Sequence, residues 1–441
     1  MAEFVNTIDT LGDEETLECI LSHEQTTFND DTVESLCDYA FDHNDALTTI
    51  KVPSAEVINA YAFQYCTNLK TLNISNATDL KNYAIQYCYR LTDLSSTDEL
   101  VHLRNYNFKY SPVGIVVCPK VTTLGTYLGQ EYGASGFDFT NQVTIQASGF
   151  RGKLFSTLIL RSSTMCTLSN VNAFTDTPIA GGYGYIYVPD SLVDTYKAAS
   201  NWSTFASRIV SLEEYPKEFD GGTITDSWSE IFAAEDNGTY KTKYNIGDTK
   251  ALNWNGACVL MQIAAFDEDD LADNTGKAKI TWISVGFVAY KSMNPTDTTT
   301  GGWADCEQRD YMQRAILPNI NSAVRSNIKP VTKISYDYST SSNITTTDSV
   351  WIPSEYEMTG TTDIAEKTGA CYTGLFGTVA HSSPSTSRIK KHNPCGTGSA
   401  GGWWLRSASS ALRFHCVGSS GVGDSSVGAA TSYGLVLGFC T

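Results

Sequence analysis

Six histidines, His23, His43, His102, His381, His392 and His415, stand alone along the chain. None has the H-x-x-x-H or H-E-x-x-H spacing that brings two imidazoles onto one zinc ion. The 12 cysteines are scattered without a C-x-x-C pair, so neither a zinc site nor a thioredoxin-type redox pair is indicated. The acidic strip Asp267–Asp273 has the charge to attract calcium. It lacks the EF-hand spacing and its glycine, and reads as a solvated turn. Phosphate loops, the G-x-S-x-G nucleophile elbow and the dinucleotide fingerprint do not occur. No catalytic residue, metal ligand or cofactor follows, and the chain is expected not to be an enzyme.

Two carboxylates and an arginine have a clearer part to play. Trp351–Ile352–Pro353–Ser354 sets an aromatic anchor before a proline-fixed turn, and Glu355 and Glu357 follow, suited to bonding backbone amides of neighbouring loops. Arg406 is the candidate buried bidentate partner for either one. A structural salt bridge is expected ahead of catalysis. On a strand, the preceding Trp403 and Trp404 would alternate faces, one in the core and one under the surface.

Binding chemistry is better represented in Ala408–Tyr433, ASSALRFHCVGSSGVGDSSVGAATSY. Small and polar residues dominate and no strand or helix period is sustained, so it reads as a loop. It lies between the patterned strands Trp403–Ser407 and Leu435–Phe439, which would hold it rigidly, and binding residues belong on loops so held. Phe414, Val417, Gly421 and Gly434 form the expected frame. The expected exposed ligand-binding positions are Ser409, Ser410, Leu412, Arg413, His415, Gly418, Val422, Asp424, Ser425, Ser426, Val427, Thr431, Ser432 and Tyr433. Arg413, His415 and Tyr433 lead that set, because arginine and aromatic side chains usually dominate interface energy.

The elements that must position these residues begin with a repeat. Tyr61–Ala62–Phe63–Gln64–Tyr65–Cys66–Thr67–Asn68–Leu69 recurs 22 residues later as Tyr83–Ala84–Ile85–Gln86–Tyr87–Cys88–Tyr89–Arg90–Leu91. Earlier and weaker copies start at Tyr39 and Tyr106. Each unit predicts one short helical turn (Tyr-Ala-Phe) and one short strand, stacked so that tyrosine, phenylalanine and leucine form core ladders. In register, Cys66 and Cys88 read as small core residues. These residues resemble the BspA-type leucine-rich repeats of bacterial and phage surface proteins. Tyr185–Lys197 with Trp202 looks like that family's closing strand and capping helix. The glycines of Gly125–Gly136 mark a bend or interruption.

A second domain is expected after Pro216, with strands at Asn255–Phe266, Lys279–Tyr290 and Val350–Ile352, and a helix at Asp305–Ile316. Asn294–Gly302 and Ser339–Ser349 read as loops. Tyr244–Asp248, Gly301–Trp303, Trp351–Glu357, Gly402–Ser407 and the closing Gly438–Cys440 occur in order. Together they resemble a domain of gut phages and bacteria related to the C-type-lectin-like fold, especially the variable proteins of diversity-generating retroelements. That likeness implies that residues 408–433 are the diversified region. It also implies a display protein that binds a host-cell surface protein or glycan.

The expected fold class is thus α+β: a lead or cap over 1–30, a leucine-rich-repeat solenoid over 31–215, and a C-type-lectin-like domain over 220–441. A length of 441 residues and 41% hydrophobic content suit two or three cores. The net charge of −18 argues against a nucleic-acid partner, and Arg388–Lys391 reads as a solvated loop. Met1–Phe4 opens no signal peptide and no run is long enough to insert in a membrane. The chain is therefore expected to be made in a bacterial host cytoplasm and carried in a phage tail beside other tail proteins, with a bacterial surface as the alternative place. Homo-oligomerisation is left open. The rival functions are an adhesin, a glycan-active enzyme and a structural virion spacer.

Overall fold

The computed structural model describes residues 4–8, 15–19, 26–361, 369–423 and 425–441. The chain divides into two compact units, Met1–Phe219 with Asn255–Cys258, and Asp220–Trp254 with Val259–Thr441. Assignment of the Asn255–Cys258 turn to the first unit was not foreseen in the sequence.

In the first unit each coil supplies two short parallel strands. One row runs Thr27–Asn29, Thr49–Lys51, Thr71–Asn73 and Asp93–Leu94, with Phe28, Ile50, Leu72 and Leu94 in register. The other includes Ser35–Leu36, Val57–Ile58, Asp79–Leu80, His102–Leu103 and Thr123–Leu124. Phe41, Phe63, Leu47, Leu69 and Leu91 fill the space between the rows. The buried thiols of Cys66 and Cys88 donate to the carbonyls of Phe41 and Phe63, each at 3.0 Å, and so tie neighbouring coils.

The Tyr-Ala-Phe segments depart from expectation twice. They are not helical turns, because their N–H groups bond the next coil: Phe41 donates to Ala62 O and Phe63 to Ala84 O. Nor do all their tyrosines enter the core. Tyr39, Tyr61 and Tyr83 take left-handed backbone angles, φ 64°, 62° and 62°, which turn the rings outward. There they stack with Tyr106 and Tyr127 at centroid spacings of 4.8, 5.0, 4.6 and 4.6 Å. A parallel stack joins His43, Tyr65, Tyr87 and Tyr110. Left-handed backbone costs about 1–2 kcal/mol per residue, and each stacked pair returns about 0.5–1.5 kcal/mol.

From Ile115 onward the strands lengthen into a five-stranded parallel sheet: Ile115–Cys118, Gly136–Phe139, Thr157–Leu160, Tyr185–Val188 and Ile209–Ser211. The glycine-rich stretch allows close approach of coils, since a Cβ on Gly133 would lie 2.0 Å from Phe108 O. The Val193–Ala198 helix and buried Trp202 close the unit, with Trp202 Nε1 donating to Cys166 O at 3.1 Å.

The second unit is mixed α/β. A four-stranded sheet is ordered Thr249–Trp254, Ala257–Phe266, Ile280–Ser284, Gly438–Cys440. A five-stranded sheet is ordered Ala289–Lys291, Tyr433–Leu435, Trp403–Ser410, Arg413–Val417, Ser425–Gly428. Chain ends meet early segments in both, which makes these pairings long-range. The serine- and threonine-rich run expected as a loop is instead the strand Ser342–Asp348, paired with Val331–Asp337. Ser342, Thr345 and Thr347 face outward on a hairpin, where β-branched threonine is well suited, while Thr346 is buried and its hydroxyl donates to Asp348 at 2.6 Å. The expected helix forms over Glu307–Tyr311 and continues as a π turn over Met312–Ile316.

Candidate functional site

Ala408–Tyr433, expected as one loop, is about half strand. Its side chains reach two different ends of the five-stranded sheet. At one end the Ser410–Arg413 turn joins two antiparallel strands. Thr299 N donates to Ala411 O at 3.0 Å, Thr299 Oγ1 to Ser410 O at 2.7 Å, and Ala429 N to Leu412 O at 3.0 Å. Asp297 accepts from Ala430 N at 2.8 Å and fixes the turn that follows the Ser425–Gly428 strand. Hydrogen bonds thus hold this backbone while the Leu412 side chain stays 56% exposed. Arg413, Thr431 and Ser432 are also exposed, and Ser409, Ser410, Ser426 and Val427 are half-buried around them. The Arg413 guanidinium donates to Ser426 O at 3.3 Å, across the strand pair. The surface combines an apolar tip, a cation and hydroxyls on a fixed frame. The buttress from Asp297 and Thr299 was missed in the sequence, where Asn294–Gly302 showed only turn chemistry.

At the other end, Gly418 and Val422 close a separate turn, with Gly418 N donating to Val422 O at 2.8 Å. The Arg413–Val417 strand spans roughly 13 Å between the two ends. Gly418 and Val422, both half-buried, lie at that far end and so do not join the Leu412 surface. Ser425 lies on the Ser425–Gly428 strand. Asp424 lies outside the described residues. The expected frame residues Phe414, Val417, Gly421 and Gly434 are all buried.

Two leading residues need correction. His415, expected at the surface, is 8% exposed. Its Nδ1 lies 3.5 Å from Glu355 Oε1, with His381 Nε2 at 4.0 Å from the same oxygen. The strand is covered on both faces, so alternation gives no outward place to that position. Tyr433 is half-buried, its ring 5.2 Å from Trp404, and burial raises its phenol pKa.

Trp403 and Trp404 are both fully buried, and the Trp404 ring lies 5.2 Å from that of Tyr433. Their indole N–H groups donate to Arg388 O at 2.9 Å and Lys291 O at 2.8 Å. Arg388, read from sequence as part of a solvated loop, is itself buried. Arg406 is buried and bonds Glu357 through one nitrogen; that nitrogen also donates to Ile352 O at 2.9 Å, while Nε donates to Ile334 O at 3.1 Å. Of the two candidate carboxylates, Glu357 is thus a partner of Arg406, bonded through Nη1. Ser354 and Glu357 form a capping box at the head of the Glu355–Thr359 helix. Arg406 and Lys333 overcome the desolvation of Glu357 and hold its carboxyl well below the usual range.

The acidic strip also differs from a solvated turn. Asp269 is buried against Lys333, Thr281 and Tyr372. Among the described residues no group of three or more histidine, cysteine, aspartate or glutamate side chains is arranged to hold a metal ion. Also among them, no helix is long and apolar enough to cross a membrane. In a polar cleft lined by Thr223, Asp226, Lys243 and Asp248, Lys243 Nζ lies 2.7 Å from Asp226, and Asp248 accepts from Thr223 Oγ1 at 3.2 Å.

Residues 13–132 match the BspA type leucine rich repeat region in six copies. Residues 275–439 match a domain of unknown function, DUF6273, which spans both the Leu412 surface and the Arg406–Glu357 pair. No curated protein matches the chain.

Proposed function

We propose that the chain is a non-enzymatic display protein whose second unit, a C-type-lectin-like scaffold, binds a bacterial-cell surface protein or glycan through the Leu412–Arg413 surface. The observation that carries this is the combination of an exposed leucine with a backbone fixed by Thr299 and Ala429. An exposed apolar tip on a rigid turn loses little entropy on binding, which favours recognition. The leucine-rich repeats would serve as the stalk. On this reading the protein is phage-tail-associated and its tail segment is rewritten by a retroelement. The exchangeable set keeps Ser409, Ser410, Leu412, Arg413, Asp424, Ser425, Ser426, Val427, Thr431, Ser432 and the half-buried Tyr433, with His415 withdrawn because it is buried and Gly418 and Val422 because they close the far turn.

The test is binding of the labelled full chain to a panel of bacterial strains, with cells stripped of surface protein by protease or of glycan by periodate. Saturable binding lost on one treatment supports the reading and names the ligand class. Binding to no strain overturns it. Hydrolysis of a surface glycan that is abolished by Glu355→Gln would replace it with an enzyme. Diversification has its own test: a near-identical template copy of the Trp403–Cys440 coding stretch beside a reverse-transcriptase gene.

A further inference from the structure

The core of the second unit contains a lysine, an aspartate and a glutamate in mutual contact. Lys333 Nζ pairs with Asp269 Oδ1 and lies 2.9 Å from Glu357 Oε1. All three side chains are almost wholly buried. The surround is aromatic: the ammonium sits 3.4 Å from the centroid of the Trp351 ring, and it donates to the Tyr372 hydroxyl at 2.7 Å. Asp269 Oδ2 accepts from Thr281 Oγ1 at 2.5 Å and from the Tyr372 hydroxyl at 3.1 Å. The buried Cys440 thiol, its pKa pushed well up by burial, also faces this cluster.

From this geometry we propose that Lys333 and Asp269 condense spontaneously into an intramolecular amide, an isopeptide cross-link between Nζ and Cγ, with Glu357 as the proton carrier. Charge balance favours it. Glu357 has its own counter-ion in Arg406, so the four groups carry two positive and two negative charges. Joining Lys333 to Asp269 removes one of each and leaves Glu357 paired with Arg406, with no orphan charge. A buried ion pair is expensive to desolvate, whereas an amide is neutral. The resting state is the ion pair: burial lowers the Lys333 pKa, and Asp269 and Glu357 more than reverse that shift.

The step begins when one proton passes from Nζ to Asp269 Oδ1, giving a neutral amine and acid. The nitrogen lone pair attacks Cγ, and Glu357 Oε1 takes a second proton as the C–N bond forms. The negative charge that develops on Oδ2 meets the Thr281 hydroxyl, placed as an oxyanion-hole donor would be, while the Tyr372 hydroxyl is shared between Oδ1 at 2.9 Å and Oδ2 at 3.1 Å. Glu357 returns its proton to Oδ1. The C–Oδ1 bond breaks and Oδ1 leaves as water with both protons. The amide nitrogen keeps one hydrogen and Glu357 ends as the carboxylate it began as. No oxidant, metal or second substrate is needed. Holding amine and carboxyl in contact supplies the high effective concentration that an uncatalysed condensation lacks. The link would fasten the Val331–Asp337 hairpin strand to the segment following Ala257–Phe266.

The experiment is intact mass measurement of the purified full chain, followed by peptide mapping under denaturing conditions. The expected result is a chain lighter than its sequence by one water, with a branched peptide joining Asp269 to Lys333. Lys333→Met should have its full sequence mass. A wild-type chain at full sequence mass overturns the proposal, as does a loss of water mapped to a single unbranched peptide. The wild-type result decides even where a variant folds poorly.

Discussion

The repeat unit and the second unit bury polarity in opposite ways. In the first, Asp79 and Asp138 are the buried carboxylates among the described residues, and each pairs with a half-exposed arginine, Arg104 or Arg161. Its register comes from a 22-residue period of apolar side chains, with stacked rings and thiol bonds between adjacent coils. In the second, Asp269, Lys333, Glu355, Glu357, Arg388, Lys390 and Arg406 all lie inside. There the strands meet across long sequence distances, as Ile280–Ser284 does with Gly438–Cys440. Periodicity can specify a fold whose neighbours are local. A fold closed by remote segments needs pairings that tolerate few alternatives, and buried charges supply them at a cost in desolvation.

The contrast is tested most severely by removing an arginine from each unit. Arg406→Met leaves Glu357 with a buried charge whose main partner is gone, and should cost about 3–5 kcal/mol in denaturant melts. Arg104→Met, at a half-exposed pair, should cost about 1 kcal/mol or less. Equal losses would remove the distinction. Trp403→Ala should cost about 3–5 kcal/mol as well, through the cavity left by a fully buried indole.

A smaller effect is expected at the tyrosine stack. Tyr61→Ala loses stacking on both sides, about 0.5–1.5 kcal/mol for each neighbour. Tyr61→Gly loses the same contacts but relieves the left-handed backbone, and should melt above the alanine variant by about 1 kcal/mol. Glycine falling below alanine would show that the φ of Tyr61 is not strained.

Buried charges also give the second unit a pH signature. Burial holds Lys390 down at about 7. Between that value and the unfolded value of about 10.4, the unfolded chain binds more protons, so stability should rise with pH across that window. Lys390→Met should flatten the rise. Glu235 is raised by burial to about 7. Between about 4.3 and 7 the folded chain binds more protons, and this group's contribution falls as pH rises. Glu235→Gln should remove that slope. Melts of each variant across both windows check the signs.

Legibility in the sequence follows the same division. Leu69, Leu91, Cys66 and Cys88 announce their positions by recurrence, and the parallel coils could be read directly. The outward tyrosines could not, because their left-handed backbone depends on hydrogen bonds to the next coil. In the second unit, residue type and local motif marked Arg406 as a partner for Glu355 or Glu357 without choosing between them. Lys333 and Asp269 carry no such motif, and only the fold joins them across 64 positions. His415 looked exposed among small polar neighbours, yet the sheet covers both its faces. Leu412 and Arg413 were legible because a short turn between strands has nowhere to bury them.

The smallest expected effect on stability coincides with the largest expected effect on function. Leu412→Ala and Arg413→Ala should each leave the melting free energy within about 0.5 kcal/mol of the parent, as ordinary surface changes do. The direct measurement is binding of these two full-length variants to a bacterial strain that the parent chain binds, with melts recorded on the same samples. The predicted result is binding weakened by about 1 kcal/mol or more, roughly fivefold, at one or both positions with the fold intact. Unchanged binding by both variants would contradict the assignment of this turn as the ligand surface.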